Sequence, residues 1–333
     1  MRRLRSQNRV PSSRPTRPAV DGMRVIFFGS PAFALPSLEA VAREHQVLAV
    51  VSQPDRPAGR GNKMQAPPVK ELAIRLGLPV EQPTKLRDGV LARALSALQP
   101  DVFVVVAYGR ILPPDLLAVP RLGAWNVHAS LLPRYRGAAP IQWAIIRGES
   151  KTGVCVMGME EGLDTGPVAA SLEEAIRDDD TAGTLAERLA WLGSKLLVAT
   201  LPRIADRTVT PQAQDEAGAT LAPLMKKEDG HLDLGAPAQE VSAQARGVDP
   251  WPGATVFFGD EPVKVFGVRV IEGLGTPGEV QGLVPQGLAV ACGGGAVAFA
   301  EIQLPGRKRL PAAAVLAGHP IPVGTRLRGA LNR

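Results

Sequence analysis

The chain has 333 residues, 45% of them hydrophobic, and a formal net charge of +6, a length that suits about two globular domains. Its longest apolar runs, such as VFVVVA at Val102–Ala107, have strand length and fall far short of the ~18 residues a bilayer span requires, which excludes a helical membrane anchor and implies a cytoplasmic protein. The charge excludes less than it suggests, because residues 1–22 carry six arginines and one aspartate, leaving 32 basic against 31 acidic residues in the body.

That leader, rich in Arg, Ser and Pro and without a hydrophobic core, reads as a disordered basic tail or the product of an upstream start; an organelle transit peptide is the second reading. From Met23 onward, strand-like runs alternate with amphipathic helices: RVIFFGS, LPSLEAVARE, VLAVVSQ and a long loop, VKELAIRLG, DGVLARALSALQ, DVFVVVAYG, AWNVHAS, IQWAIIRGE and GVCVMGME. Strands apolar at nearly every position and separated by helices predict a doubly wound, mostly parallel α/β sheet covered on both faces, over residues 23–207. The first turn, FFGSPAF, lacks GxGxxG and places Pro31 where a backbone donor is needed, so a dinucleotide site is not expected. GVCVMGMEEGLDTGPVAASLEEAI predicts a hairpin, TAGTLAERLAWLGSKLLVATLPRI a long helix, and residues 208–222 a linker. Residues 223–330 change texture to short strands with frequent Gly and Pro, which predicts a small β-barrel or sandwich, OB-like in kind.

Candidate chemistry centres on WNVHASLLPRYRGAAPIQWAI. In an extended segment Asn126 and His128 share a face while Val127 points the other way. His128 is either a hydrogen-bonded histidine closing a strand or a proton carrier. Asp164, in EEGLDTGPV, is either a turn former or the carboxylate partner of that imidazole. Together the three supply an oxyanion donor, a proton carrier and an orienting carboxylate, which is what attack of an amine on an acyl carbon needs. No serine or cysteine nucleophile accompanies them, which favours direct transfer. Cys155 and Cys292, far apart and without a CxxC, predict neither a disulfide nor a zinc site, and no metal is expected.

NVHASLLPRYRGAAPIQWAI closely resembles the signature of the folate-dependent formyltransferases, and the chain from Met23 to Arg328 resembles the branch that formylates methionyl-tRNA. The resemblance implies 10-formyltetrahydrofolate as donor and initiator methionyl-tRNA as acceptor, with Asn126 donating to the formyl oxygen, His128 managing the proton and Asp164 tuning His128 and helping to deprotonate the attacking amine. It implies that Ser130, Leu131, Leu132 and Pro133 line the folate site; Gly109 is either a point where backbone approaches ligand or a plain strand-ending glycine. SQPDRPAGRGNKM resembles the family's basic loop that enters the tRNA acceptor stem. Arg56, Arg60 and Lys63 would make phosphate contacts there, although Asn62 stands where a basic residue is expected. Arg307, Lys308 and Arg309 form a second candidate RNA contact on the C-terminal domain, VDPWPGATVFF resembles that domain's opening, and a monomer is expected. The alternatives are a formyltransferase for an amino sugar nucleotide or a ribonucleotide amine, and a noncatalytic folate- or RNA-binding protein of the same fold.

Overall fold

The computed structural model describes residues 22–58 and 63–329, so residues 1–21, Arg60 and Asn62 lie outside it. The N-terminal half contains β1 (Arg24–Gly29), α1 (Leu35–Glu44), β2 (Gln46–Val51), the short hairpin β3 (Arg56–Ala58) and β4 (Lys63–Gln65), α2 (Pro68–Arg75), β5 (Val80–Glu81) and α3 (Val90–Ser96). It continues through β6 (Val102–Val106), α4 (Pro114–Leu117), β7 (Ala124–His128), α5 (Pro140–Ile146), β8 (Lys151–Gly158), β9 (Val168–Ala175) and α6 (Ala182–Ala205). Seven strands form one sheet in the order β5-β2-β1-β6-β7-β8-β9. The first five are mutually parallel, and β8 and β9 add an antiparallel hairpin at the β7 edge.

Burial on both faces explains the near-continuous apolar strands. Val25, Phe27, Val104 and Val127 pack with Leu38 of α1, Ile145 of α5 and Leu189 and Leu197 of α6. Ile26, Phe28, Phe103 and Val105 pack on the opposite face with Leu95 of α3 and Leu116 of α4. The long helix α6 starts where a capping box forms: the Thr181 hydroxyl accepts from the Thr184 amide at 3.2 Å and the Thr184 hydroxyl accepts from the Thr181 amide at 3.0 Å.

The second half holds α7 (Ala238–Gly247), β10 (Thr255–Phe258), β11 (Glu261–Phe266), β12 (Arg269–Ile271), β13 (Val280–Val284), β14 (Gly287–Ala291), β15 (Ala296–Phe299), β16 (Glu301–Gln303), β17 (Leu310–Pro311) and α8 (Ala312–Gly318). Its strands form two four-stranded antiparallel sheets, β10-β11-β16-β17 and β12-β15-β14-β13. The sheets are joined at both sides. On one, the β11·β16 ribbon continues as β12·β15 past Gly267 and Ala300. On the other, the C-terminal segment pairs with one outer edge of each sheet, Arg326 bridging Glu279 beside β13 and Arg328 bridging Phe257 of β10. This closure gives the OB-like barrel and leaves few unpaired edges. Val256, Val265, Val290, Val297 and Phe299 fill its core, covered by Val241 and Ala245 of α7. Neither α7 nor α8 was expected from the sequence, because their buried faces are built largely from alanine and carry a weak apolar stripe.

Residues 208–222 do more than connect the halves. Gln212 bridges Val168 at the start of β9, Leu221 bridges Arg136, and the Ala139 amide donates to the Ala222 carbonyl at 3.2 Å. Among the described residues no helix is long and apolar enough to cross a membrane.

Candidate active site

β7 is hydrogen-bonded on both edges, parallel to β6 and antiparallel to β8, with Asn126 opposite Val105 and Met157 and His128 opposite Cys155. Strand alternation sends Trp125 and Val127 into the core shared with α6, so Asn126 and His128 stand on the other face, as the sequence predicts. On that face the chain after β7 folds over the strand ends and forms the site wall. Asn126 is half-buried, and among the described residues its carboxamide makes no hydrogen bond within the protein, leaving both donors for a ligand.

His128 is 5% exposed. Its Nε2 lies 2.9 Å from the Tyr135 carbonyl oxygen. A carbonyl only accepts, so Nε2 carries the hydrogen and the neutral ring presents a lone pair at Nδ1. That Nδ1 faces Asp164, 3.7 Å from Oδ2, too long for a hydrogen bond but short enough for a strong charge interaction once the ring is protonated. Asp164 sits in the loop between β8 and β9 with φ +52°, left-handed backbone that aspartate tolerates better than most residues. Its Oδ2 also accepts from the Gly137 amide at 2.9 Å. The structure therefore brings Asn126, His128 and Asp164 together, with the imidazole tautomer set by one backbone group and the carboxylate held by another.

Residues 130–139 supply those backbone groups. Ser130 is buried; its hydroxyl donates to the Arg134 carbonyl at 2.6 Å and its own carbonyl accepts from Cys155 Sγ at 3.0 Å. Leu131, Leu132 and Pro133, which follow His128 in the chain, are half-buried, Leu131 lying over Gly153 of β8 and Pro133 over Gly218. Tyr135 also has left-handed backbone, φ +61°, and its phenol donates to Glu149 Oε1 at 2.6 Å. Gly137, at φ +126°, has no room for a side chain: a Cβ would come within 2.5 Å of the Ala222 carbonyl oxygen.

Gly109 turns with φ +77°, and a Cβ there would come within 2.8 Å of Gln53 Nε2, which itself donates to the Tyr108 carbonyl. The next residue, Arg110, joins Lys85, Arg87 and Ile111 in lining an open cleft of about 630 Å³. Gln53 also anchors the basic hairpin, since Arg56 donates to its side-chain oxygen. Asp55 is tied to Lys70 and to Gln82, both at 2.8 Å, and the bond to Lys70 holds its carboxyl below the usual carboxylate range. Lys63 lies on the returning strand, paired with Ala58. Arg307, Lys308 and Arg309 occupy an exposed turn between β16 and β17. Arg309 is ion-paired with Glu301 and stacks over Phe266 at 4.0 Å from the ring centroid, so Arg307 and Lys308 are the freer charges of the three.

Sequence reasoning missed Tyr135, Gly137 and Gln214. Tyr135 and Gly137 act through backbone atoms, which no residue pattern announces. Gln214 lies in the segment expected as a linker. Its Nε2 donates to the Asp164 carbonyl at 2.8 Å and to the Gly166 carbonyl at 2.7 Å.

Known proteins resemble this chain over nearly its whole described length. Residues 23–201 match the formyl transferase family model and residues 224–320 the formyl transferase C-terminal domain. A methionyl-tRNA formyltransferase of Trichlorobacter lovleyi is 47% identical over 307 residues, 92% of this chain and 97% of its own length. That of Citrifermentans bemidjiense is 48% identical over 304 residues, covering 91% and 96%. Among solved structures, HypX from Aquifex aeolicus in complex with tetrahydrofolic acid superposes with a TM-score of 0.61 at 20% identity, over 89% of this chain and 47% of that one. An N-formyltransferase from Helicobacter canadensis superposes with a TM-score of 0.65 at 17% identity, over 83% and 99%. At those identities the two structures speak for the fold alone, whereas the sequence relatives span both halves at nearly full length, and on that ground the chain belongs to the formyltransferase family, in its methionyl-tRNA formyltransferase branch.

Proposed function

We propose that this protein transfers the formyl group of 10-formyltetrahydrofolate to the α-amino group of initiator methionyl-tRNA. The observation that carries the chemistry is the unengaged Asn126 carboxamide on the same strand face as an imidazole whose Nδ1 lies 3.7 Å from a carboxylate oxygen. The acceptor rests on the near-full-length likeness to methionyl-tRNA formyltransferases.

In this reading the methionyl ammonium gives a proton to His128 Nδ1, and the resulting charge is balanced by Asp164. The free amine attacks the formyl carbon while Asn126 donates to the formyl oxygen as it becomes an oxyanion. The new N–C bond forms, the bond to N10 of the folate breaks, the proton held by His128 passes to N10, and the second proton shed by the former ammonium nitrogen as it becomes an amide is taken up by His128 and leaves to solvent. A donor already in place for the oxyanion contributes about 3–4 kcal/mol and a positioned acid/base group about 10²–10⁴ in rate.

Leu131, Leu132 and Pro133 would face the pterin, and Lys85 and Arg87 in the neighbouring cleft suit the acidic end of the folate. The hairpin carrying Arg56 and Lys63, with Arg307, Lys308 and Arg309 on the barrel, would follow the tRNA phosphates. Residues 23–207 then form the catalytic domain, 208–222 the connecting segment and 223–330 the RNA-binding barrel.

The test is formyl transfer from 10-formyltetrahydrofolate to methionyl-tRNA, run beside uncharged tRNA, free methionine and an amino sugar nucleotide. Only methionyl-tRNA should be formylated. Transfer to the sugar nucleotide instead would overturn the acceptor while keeping the chemistry.

A further inference from the structure

Asp164 stands on a loop, in left-handed backbone, and its carboxylate is useful only if the loop holds it opposite His128. The carbonyls of Asp164 and Gly166 both accept from a single side chain, the carboxamide of Gln214, at 2.8 and 2.7 Å. The orientation of that amide is itself fixed, because its Oε1 accepts from Arg136 Nε at 3.0 Å; turning it over would set an oxygen against two carbonyls and a nitrogen against a guanidinium. Arg136 is buried, 5% exposed, and clamps Glu216 with both terminal nitrogens at 2.9 and 2.8 Å. Its backbone is pinned as well: its amide donates to the Thr220 carbonyl at 2.8 Å and its carbonyl accepts from Ala222 at 2.7 Å.

Arg136 lies between Tyr135, whose carbonyl sets the His128 tautomer, and Gly137, whose amide holds the Asp164 carboxylate. Both halves of the proton-handling pair are thus referred to one frame. We propose that Gln214 and Arg136 are positioning residues for the reaction: segment 208–222 reaches back into the catalytic half and fixes the Asp164 loop against the wall that orients His128. This inference rests on the reading that Asp164 works on the reacting groups.

The test is single-turnover formylation of methionyl-tRNA by the full chain at saturating 10-formyltetrahydrofolate, for wild type, Gln214→Leu, Asp164→Asn and the double variant. Leucine keeps the bulk and removes every hydrogen bond. Gln214→Leu should lower the maximal rate about 10- to 100-fold, the scale on which a misplaced catalytic group is felt, while half-saturating concentrations of tRNA and folate stay near wild type. A residue that only fastened the segment to the body would change binding or thermal stability without this split. In the Asp164→Asn background Gln214→Leu should add no further loss, since two changes acting through one group are not additive. Arg136→Lys keeps a charge for Glu216 but loses the Nε donor; it should show a smaller loss of the same kind and provides the reading if Gln214→Leu fails to fold.

Wild-type rates for Gln214→Leu beside a crippled Asp164→Asn would sink the positioning role alone. So would a loss confined to half-saturation, or one that multiplies in the double variant. A full rate for Asp164→Asn would instead remove the reading of Asp164 on which the inference stands.

Discussion

The two sides of the site are held by different physics. Asn126 and His128 belong to β7, where the β6 and β8 ladders fix the backbone on both edges and strand alternation fixes the face. Asp164 belongs to a loop and is placed by one amide from Gly137 and by Gln214, 50 residues further along the chain. A strand residue is over-determined, because loss of one neighbouring bond leaves many others. A loop residue in left-handed backbone depends on a few identifiable partners and should respond sharply to each.

The largest effects should come from the reacting groups themselves. His128→Ala and Asn126→Ala should each reduce single-turnover formylation by about 10²–10⁴, and Asp164→Asn by about 10² or more. Circular dichroism of the two strand variants should match wild type, because the ladders do not depend on those side chains. A strand variant that unfolds would break the contrast with the loop.

Gly137→Ala should rank next. It forces a Cβ to within 2.5 Å of the Ala222 carbonyl oxygen at φ +126° and shifts the amide that holds Asp164. Strained backbone of this kind costs about 1–3 kcal/mol, and displacement of the carboxylate should take about 10²-fold from the rate. Thermal melts and single-turnover rates on the same preparation check both. A stable, fully active Gly137→Ala would mean that the loop side is as redundant as the strand side.

The contrast also marks what could be read from the sequence. The alternation of apolar and polar residues in AWNVHAS is enough to place Asn126 and His128 on one face, and apolar strands separated by helices are enough for a covered parallel sheet. The hairpin around Asp164 was legible from its Gly/Asp turn, and the motif resemblance supplied its pairing with His128. The Gln214–Arg136 link was not legible, since it joins residues 78 apart through side chains that fit many other roles. The Tyr135 carbonyl and the Gly137 amide were equally hidden, because every residue has a backbone and only the fold selects which is used. In the barrel, short strands were visible, but closure through residues 325–328 depends on a non-local pairing that carries no local pattern.

A third region, the seam between the halves, separates stability from turnover. Asp180 is 3% exposed just before α6. Burial alone would raise its pKa, but the Arg188 guanidinium at 2.8 Å, the Arg177 amide at 2.7 Å and the Thr184 hydroxyl at 3.0 Å outweigh it and hold it below the ordinary value. Its carbonyl also accepts from Arg246 of α7 at 3.0 Å, which ties the two halves together. A depressed folded pKa gives stability that is present above the unfolded value of about 3.9 and is lost as pH falls through the folded value. Arg188→Met should therefore lower stability at neutral pH by about 1.5–3 kcal/mol, the range for charged hydrogen bonds, and should make the melting temperature less sensitive to acid below about pH 4. At neutral pH the folded variant should retain its single-turnover rate. A rate loss as deep as that of Gly137→Ala would show that the seam, not the loop, places Asp164.

The smallest effect is expected at Cys155, the β8 residue opposite His128. Its thiol is 1% exposed, donates to the Ser130 carbonyl at 3.0 Å, and is pushed up to about 11 by burial, so at neutral pH it is a packed donor and not a nucleophile. Cys155→Ser keeps a donor in that place and leaves the β7 and β8 ladders untouched. It should change stability by no more than about 1.5 kcal/mol and leave formylation near wild type, and the native thiol should resist alkylation until the protein unfolds. If Cys155→Ser instead removed activity as Gly137→Ala does, the strand side would depend on single side-chain contacts too, and the ladders would not suffice to hold His128 in place.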